Sequence, residues 1–254
     1  MPWLVETQAD LNVRGVLSDT YEVYKSLFVL TFAAGLVVFG TAEFFQAFVS
    51  SGHGGLVGLL IVLALSLTGT ALMQGAFVEV VRAAHDGERG PSLQDLYGRS
   101  SSRLGALIGV SLLASAGITF GLLFLIVPGV VLATRWALAV PVVMLEGASP
   151  RAALARSREL VSGHAWAVFR ILFNVGLIVV IVELGFSLLG GHPQSGLLRF
   201  WLAGTIGSAL MTPYMSHALT VLYYRLADPG EPLIPDEPRS WESVWAEHDR
   251  SREN

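Results

Sequence analysis

Four ionisable side chains in or beside the apolar runs of this sequence are the candidates for ligand chemistry. Arg135 lies within the fourth apolar run, Glu43 and Glu183 lie within the first and fifth, and Arg199 lies near the start of the sixth. If the runs span a membrane, a rise of about 1.5 Å per residue places Arg135 near the midplane and both glutamates in the outer third. Ionisable residues at such depths are costly and often mark a binding or transport site.

These four residues fit three interpretations, which the sequence leaves open. The two acids and two bases could neutralise each other as structural ion pairs. They could instead form a ligand-binding pocket for a phosphate or for a coupled proton. The long side chains could also extend toward the membrane surface and lie among the lipids.

The other chemistry-bearing residues form no recognised site. Six histidines are scattered without an HExxH or similar ligand spacing, and neither G-x-S-x-G nor a P-loop occurs. The sequence contains no cysteine, which excludes disulfides, thiolate metal sites and cysteine nucleophiles. We therefore predict no catalytic residues, no metal site and no cofactor.

The composition is that of an integral membrane protein. Of the 254 residues, 53% are hydrophobic and only 14% are charged, whereas about 25% are charged in an ordinary soluble domain. The formal net charge of −4 gives no electrostatic reason to expect a nucleic-acid partner. The first ten residues lack the basic and apolar regions of a secretory signal, so we expect the helices themselves to direct insertion.

The predicted fold is an all-α, polytopic transmembrane helical bundle with six spans. A span needs about 20 mostly apolar residues to cross the hydrocarbon core. The predicted spans are residues 27–49, 56–81, 104–125, 129–145, 166–189 and 197–224. The third and fourth spans form one apolar block, in which Pro128-Gly129 is the predicted turn. A five-span alternative would need one bent helix that is too long for the bilayer.

The basic residues predict the orientation, because cytoplasmic segments of membrane proteins are rich in Lys and Arg. Thirteen basic residues lie in segments predicted on one side, and only Arg199 lies at the edge of the other side. We therefore expect a multi-pass protein of the bacterial cytoplasmic membrane with both termini in the cytoplasm. Residues 1–226 would form the membrane domain, and residues 227–254 an acidic, proline-containing tail.

An amphipathic segment precedes each pair of predicted spans on the cytoplasmic side. The segments begin near Val13, Ser92 and Ser149, and in the third Pro150 occupies the first helical position. The basic residues of the third segment are predicted to contact the membrane interface, and they are Arg151, Arg156 and Arg158. We interpret the pattern as three copies of an interfacial helix followed by a transmembrane hairpin. The alternative is that the loops are amphipathic by chance.

Two further features could serve as contact surfaces. Gly105, Gly109, Gly117 and Gly121 lie roughly along one face of the third span, where they permit close helix packing within the chain or in a homo-oligomer. In the tail, apolar residues after Ser240 fall on one helical face. They could dock onto this protein, a membrane-protein partner or the membrane surface, or belong to a loosely ordered tail.

The most specific motif of the chain is VPGVVLATRWALAVPVVMLEGASPRAALARSRELVSGHAWAVF, residues 127–169. Its distinctive features are Pro128-Gly129, Arg135-Trp136, Pro141, Glu146-Gly147, Ala153, Arg156-Ser157, Leu160-Val161, Gly163 and Trp166. This motif resembles the membrane domain of the glycerophosphoryl diester phosphodiesterase family and that domain's stand-alone bacterial relatives. The N-terminal GVLSDTYEVYKSLF is similar to the family's opening helix.

The resemblance implies the membrane architecture and no enzymatic activity. In bifunctional members of the family the phosphodiesterase is a separate soluble barrel, and no such domain is found in the sequence up to Asn254. We therefore expect a protein that is not an enzyme.

Two functions remain as hypotheses. The first is a membrane protein that binds or moves a lipid or a small amphipathic anion, with Arg135, Glu43, Glu183 and Arg199 as candidate ligand-binding residues. The second is a non-transporting scaffold or accessory subunit, with the glycine face and the tail as its contact surfaces. Membrane lipids are the expected partners in the first case, and another membrane protein or a second copy of the chain in the second.

The predicted orientation can be tested with single cysteines, because the chain has none of its own. Cysteines at positions Ser51 and Ser195 should react with an impermeant thiol reagent applied to intact cells. Cysteines at positions Ser101 and Ser240 should react only after lysis. The reverse pattern would show that the orientation is wrong.

Overall fold

A computed structural model describes residues 11–50, 55–86, 93–191 and 196–229. Within these ranges the chain forms helices and no strand. The helices are α1 (Val13–Ser50), α2 (Gly55–His85), α3 (Leu93–Ser102), α4 (Leu104–Phe124), α5 (Ile126–Arg135), α6 (Ala139–Glu146), α7 (Pro150–Val161), α8 (Ala165–Gly190) and α9 (Leu197–Ala227). The start predicted at Ser92, the test positions Ser51 and Ser195, and the tail segment after Ser240 lie outside the described residues.

Four long helices form the main bundle, and α9 is at its centre. Helix α9 packs along α1 and α8 and also contacts α2, α6 and α7. One end of this bundle is rich in ionic contacts, and we call it the basic end. Here Arg225 of α9 pairs with Asp19 of α1, and Arg82 of α2 pairs with Glu79 and Asp86. The short helices α3, α6 and α7 pack at the same end.

In the part of the chain that the structure describes, five segments are long and apolar enough to cross a membrane: α1, α2, α4, α8 and the consecutive α5 and α6, Ile126–Glu146. The protein is therefore a multi-pass membrane protein. Helix α9 has 31 residues but is less apolar. Its central position explains the composition, because polar residues such as Thr205, Ser216 and Thr220 are buried against other helices. The crossing of the membrane by α9, and with it the count of six spans, stays a prediction.

The turn between the third and fourth predicted spans lies at Leu125, three residues earlier than the sequence indicated. Leu125 has an extended backbone (φ −159°, ψ 133°) between α4 and α5. Pro128 falls in the first turn of α5, where the absent proline N–H costs no hydrogen bond. The expectation of a turn at Pro128-Gly129 was wrong because proline in this position begins a helix as readily as it ends one.

Helices α5 and α6 are separated by a break at residues 136–138. Helix α6 then ends at Gly147, whose positive φ of 70° is the left-handed conformation that glycine adopts without strain. Arg103 donates hydrogen bonds to the carbonyl oxygens of Val143 (2.6 Å) and Met144 (3.0 Å). The arginine thereby satisfies carbonyls in the last turn of α6 that the helix itself leaves free.

The three amphipathic segments take different forms. The first is the start of α1, which runs unbroken from Val13 to Ser50 and contains no proline. This differs from the separate interfacial helix that we expected. The second and third segments form the short helices α3 and α7, and α7 begins at Pro150 after an extended Ser149, as predicted. Their position relative to the membrane surface stays a prediction.

The glycine face of α4 is used for packing within the chain. A Cβ atom at Gly109 would lie 2.9 Å from the Pro150 ring, and one at Gly121 would lie 2.8 Å from the Cα of Gly129. A Cβ atom at Gly117 would overlap the ring of Trp136. Of the four glycines predicted to form this face, three therefore let α5, α7 and the α5–α6 break approach α4 closely.

Alanine substitution should distinguish two glycines of α4. Gly117→Ala should lower the free energy of unfolding by about 1–3 kcal/mol, because the new methyl group overpacks against Trp136. Apart from its chain neighbours and the adjacent backbone of its own helix, no atom of the described residues lies within 4 Å of a Cβ atom added at Gly105. Gly105→Ala should therefore be neutral or slightly stabilising, since alanine favours a helix by up to about 1 kcal/mol over glycine. Unfolding in mixed detergent micelles measures both variants, and equal effects would contradict the packing described here.

Candidate functional site

The break between α5 and α6 is held by one side chain of α7. The hydroxyl of Ser157 donates a hydrogen bond to the carbonyl oxygen of Arg135 (2.9 Å) and accepts one from the backbone N–H of Leu138 (3.1 Å). Ser157 is fully buried. A helix break inside an apolar bundle leaves backbone groups that need partners. Ser157 satisfies two of them and fixes the position from which the Arg135 side chain projects.

Arg135 is one of the residues that line an apolar groove between α5 and α8. The groove has a cavity volume of about 570 Å³. Its lining residues are Ile126, Val127, Val130, Val131, Thr134, Arg135, Ala165, Trp166 and Phe169. Arg135 is exposed, and its guanidinium has no ion pair or hydrogen bond with the residues that the structure describes. The groove therefore combines an apolar wall with one available cation.

A polar cavity of about 340 Å³ adjoins this groove and shares Arg135 and Ala165 with it. Arg158 and Glu159 of α7 line the polar cavity, together with the α7–α8 turn around Ser162. Arg158 is exposed and, like Arg135, has no ionic partner among the described side chains. Two arginines thus line one polar cavity beside an apolar groove.

The three arginines predicted to contact the membrane interface have different surroundings. Arg156 donates a hydrogen bond to Glu146 (3.1 Å) and lies 3.7 Å from the Glu159 carboxylate. The hydrogen bond to Glu146, and the negative charge of that carboxylate, raise the pKa of Arg156. Arg158 lines the polar cavity, whereas Arg151 is exposed near the start of α7 and lines neither cavity. Only Arg158 of the three is therefore placed beside Arg135.

Arg135 does not approach the two glutamates with which the sequence suggested a pairing. It lies beside Ala165, the first residue of α8, and Glu183 lies about 27 Å further along the same helix. An arginine side chain cannot cross that distance. The expected midplane position of Arg135 assumed a straight fourth span, and the break after Arg135 removes that assumption.

Glu43 and Glu183 do lie close together, at the end of the bundle opposite the basic end. An added Cβ atom would lie 2.8 Å from the Glu43 carboxylate at Gly204, and 3.2 Å from that of Glu183 at Gly207. Ser208 donates a hydrogen bond to Glu43 (3.3 Å). The two carboxylates are near enough to repel each other when both are charged. The absence of side chains at both glycines of α9 gives the carboxylates the space that they occupy.

Arg199, the fourth candidate, is bound to the backbone, and no acidic partner is found for it among the described residues. Its Nε donates a hydrogen bond to the carbonyl oxygen of Leu189, near the C-terminus of α8. That carbonyl belongs to the last turn of the helix, where intrahelical partners are lacking. The structure thus brings together Glu43 and Glu183 but leaves Arg135 and Arg199 in separate places.

The sequence alone assigns no site role to Ser157, which holds the α5–α6 break, or to Trp166 and Phe169, which line the groove. Ser157 is a polar residue on the stripe of α7 that also carries Leu154 and Val161, and this exception to an apolar stripe was the available signal. Trp166 was recognised only as a feature of the motif of residues 127–169. Phe169 carried no signal, because its role depends on the approach of α5 to α8.

One known family model covers the part of the chain that forms the groove and the polar cavity. Residues 110–225 match the family model for the membrane domain of glycerophosphoryl diester phosphodiesterase. The match confirms the resemblance found in the sequence. It includes α5 to α8 and almost all of α9, and thus every residue of the groove and the polar cavity. Neither the curated proteins nor the solved structures give a match to this chain.

Removal of the Ser157 hydroxyl should destabilise this membrane domain. Ser157→Ala leaves the Leu138 N–H and the Arg135 carbonyl without their partner, and an unsatisfied buried group costs about 1–3 kcal/mol. Ser101→Ala is the matched control, because Ser101 is exposed and bonds only to Gly98 within its own helix. The control should change the free energy of unfolding by less than about 0.5 kcal/mol. Equal stability of the two variants would show that Ser157 does not hold the break.

Proposed function

We propose that this protein binds a lipid or a small amphipathic anion of the cytoplasmic membrane through the groove between α5 and α8. The observation that supports the proposal is the position of Arg135, where an apolar groove meets a polar cavity. An apolar chain can lie against Val130, Trp166 and Phe169, while an anionic group contacts Arg135 and Arg158. Both halves of an amphipathic anion therefore have a complementary surface.

Physical chemistry supports each half of this proposal. Burial of apolar surface contributes about 25 cal/mol per Å², and each methylene of a chain about 0.8 kcal/mol. Hydrogen bonds between a guanidinium and an anionic oxygen are stronger than neutral ones, and arginine offers several donors in one plane. A bound anion would also relieve the repulsion between two guanidiniums that share one cavity.

The proposed location follows from the charge distribution. The basic end of the bundle, with Arg82, Arg103 and Arg225, corresponds to the side that the sequence predicts to be cytoplasmic. The polar cavity adjoins α7, which packs at this end. We therefore infer that the site opens to the inner leaflet, where anionic lipids attract basic residues by about 1 kcal/mol each. In this orientation both termini are cytoplasmic.

Binding, and not scaffolding, is the function that the described residues favour. The scaffold hypothesis relied on two contact surfaces, the glycine face of α4 and the tail, and the tail segment after Ser240 lies outside the described residues. Gly109, Gly117 and Gly121 instead pack against this chain's own residues. The α5–α8 groove, by contrast, has no described side chain filling it and has a chemical character that a lipid matches.

Arg135→Gln should reduce the number of lipids retained by the purified protein. The glutamine keeps a polar side chain of moderate length but removes the positive charge at the groove. Native mass spectrometry of the protein released from lipid nanodiscs reports bound lipids and subunit number together. Arg170→Gln is the matched control, because Arg170 is an exposed arginine of α8 that lines neither cavity. Unchanged retention in Arg135→Gln, or an equal loss in both variants, would contradict the proposal.

A further inference from the structure

We propose that the preferred ligand is a glycerolipid whose headgroup is a phosphate monoester. This inference rests on the proposed function and names the ligand class of the same site. The inference is based on the residues that line the polar cavity, where Arg135 and Arg158 border a common space of about 340 Å³. The lipid chain occupies the adjoining apolar groove, which shares Arg135 with that cavity.

The two guanidiniums come from different elements and approach the cavity separately. Arg135 ends α5, while Arg158 lies in the last turn of α7. Among the described residues neither guanidinium is bound to a carboxylate, so both keep their donors for a ligand. A phosphate monoester has three terminal oxygens and a charge of about −1.5 to −2 at pH 7, as in phosphoserine. Two separate guanidiniums can bind different oxygens of such a group, whereas a diester offers two terminal oxygens and one charge.

The start of α8 adds to the attraction for an anion. Ala165, the first residue of this 26-residue helix, forms part of the wall of both cavities. The first backbone N–H groups of a helix have no intrahelical partner, and the helix dipole places partial positive charge there. His164, at the N-cap, makes no side-chain hydrogen bond to these groups. They therefore remain available to the side of a phosphate that the arginines do not contact.

Among the described residues, Glu159 is the one acidic residue that lines the cavity. Its charge distinguishes a phosphate monoester from an alternative class of ligand. Its carboxylate lies 3.7 Å from Arg156, which also binds Glu146. Arg156 therefore offsets part of the charge of Glu159. For a phosphate monoester, Glu159 is a repulsive neighbour. For a zwitterionic headgroup with an ammonium group, Glu159 would be an attractive one. Neutralisation of this residue should thus change affinity in opposite directions for the two ligand classes.

The experiment compares lipids in nanodiscs of phosphatidylcholine that contain equal fractions of phosphatidic acid, phosphatidylglycerol or phosphatidylethanolamine with the same acyl chains. The readout is lipid retention by the full chain in native mass spectrometry. Phosphatidic acid should be retained over phosphatidylglycerol by roughly tenfold, the effect of one additional charged hydrogen bond. Inorganic phosphate, added at a concentration equal to that of the lipid, should not displace it because it cannot occupy the apolar groove.

Variants of α7 complete the test. Arg158→Gln should abolish the preference for phosphatidic acid over phosphatidylglycerol, while Arg151→Gln, on the same helix and outside both cavities, should keep it. Glu159→Gln should strengthen retention of phosphatidic acid. Equal retention of the two anionic lipids, both dependent on Arg135, would overturn this inference and leave the proposed function standing. So would stronger retention of phosphatidylethanolamine that Glu159→Gln weakens, or displacement by inorganic phosphate. Retention of no lipid above phosphatidylcholine would overturn the proposed function itself.

Discussion

The hydrogen bonds of Ser157 to the α5–α6 break are the interaction on which the candidate site depends. In a continuous helix, Arg135 would lie within a single straight span, and helical geometry alone would determine the direction of its side chain. The break ends α5 at Arg135 and begins α6 at Ala139. The break leaves the carbonyl oxygen of Arg135 and the backbone N–H of Leu138 without partners in the helices. Such buried backbone groups need hydrogen bonds, and the hydroxyl of Ser157 supplies both. One buried hydroxyl therefore permits the bend, because an apolar residue at position 157 would leave these two backbone groups without hydrogen bonds.

The position of that bend is also determined by glycine. Helix α4 presents Gly117 to Trp136 at the break and Gly121 to Gly129 on α5. Without side chains at these positions, α5 folds back tightly along α4. The hairpin then meets the remainder of the protein through α7 and the beginning of α8. The space between this hairpin and α8 is the apolar groove. The groove therefore results from the close packing of α5 on α4 and from the contacts of this hairpin with α7.

The two groups of ionisable residues are located at opposite ends of α8, and they have different physical settings. At the basic end, arginines are plentiful, and some of them, including Arg103 and Arg156, are held by carbonyl or carboxylate oxygens. At the other end, Glu43 and Glu183 lie close together and are accommodated by glycines of α9. The first setting suits an anion at the membrane surface. In the second setting, Arg135 is too far away to neutralise the two carboxylates.

The sequence by itself determined the class of protein, its long helices and several of their boundaries. These features follow from local composition: runs of apolar residues predict spans, Pro150 after Ser149 begins α7, and the motif of residues 127–169 resembles the membrane-domain family whose model matches residues 110–225. The central position of α9 was not visible locally, because a helix buried by its neighbours needs less apolar surface than one that faces lipid. The tertiary structure alone decided that Arg135 lies beside Arg158 and not beside Glu183. That arrangement depends on contacts between α5, α7 and α8, and such contacts are set by packing between segments that are distant in sequence. The break after Arg135 belongs to the same category, since its stability depends on the approach of Ser157.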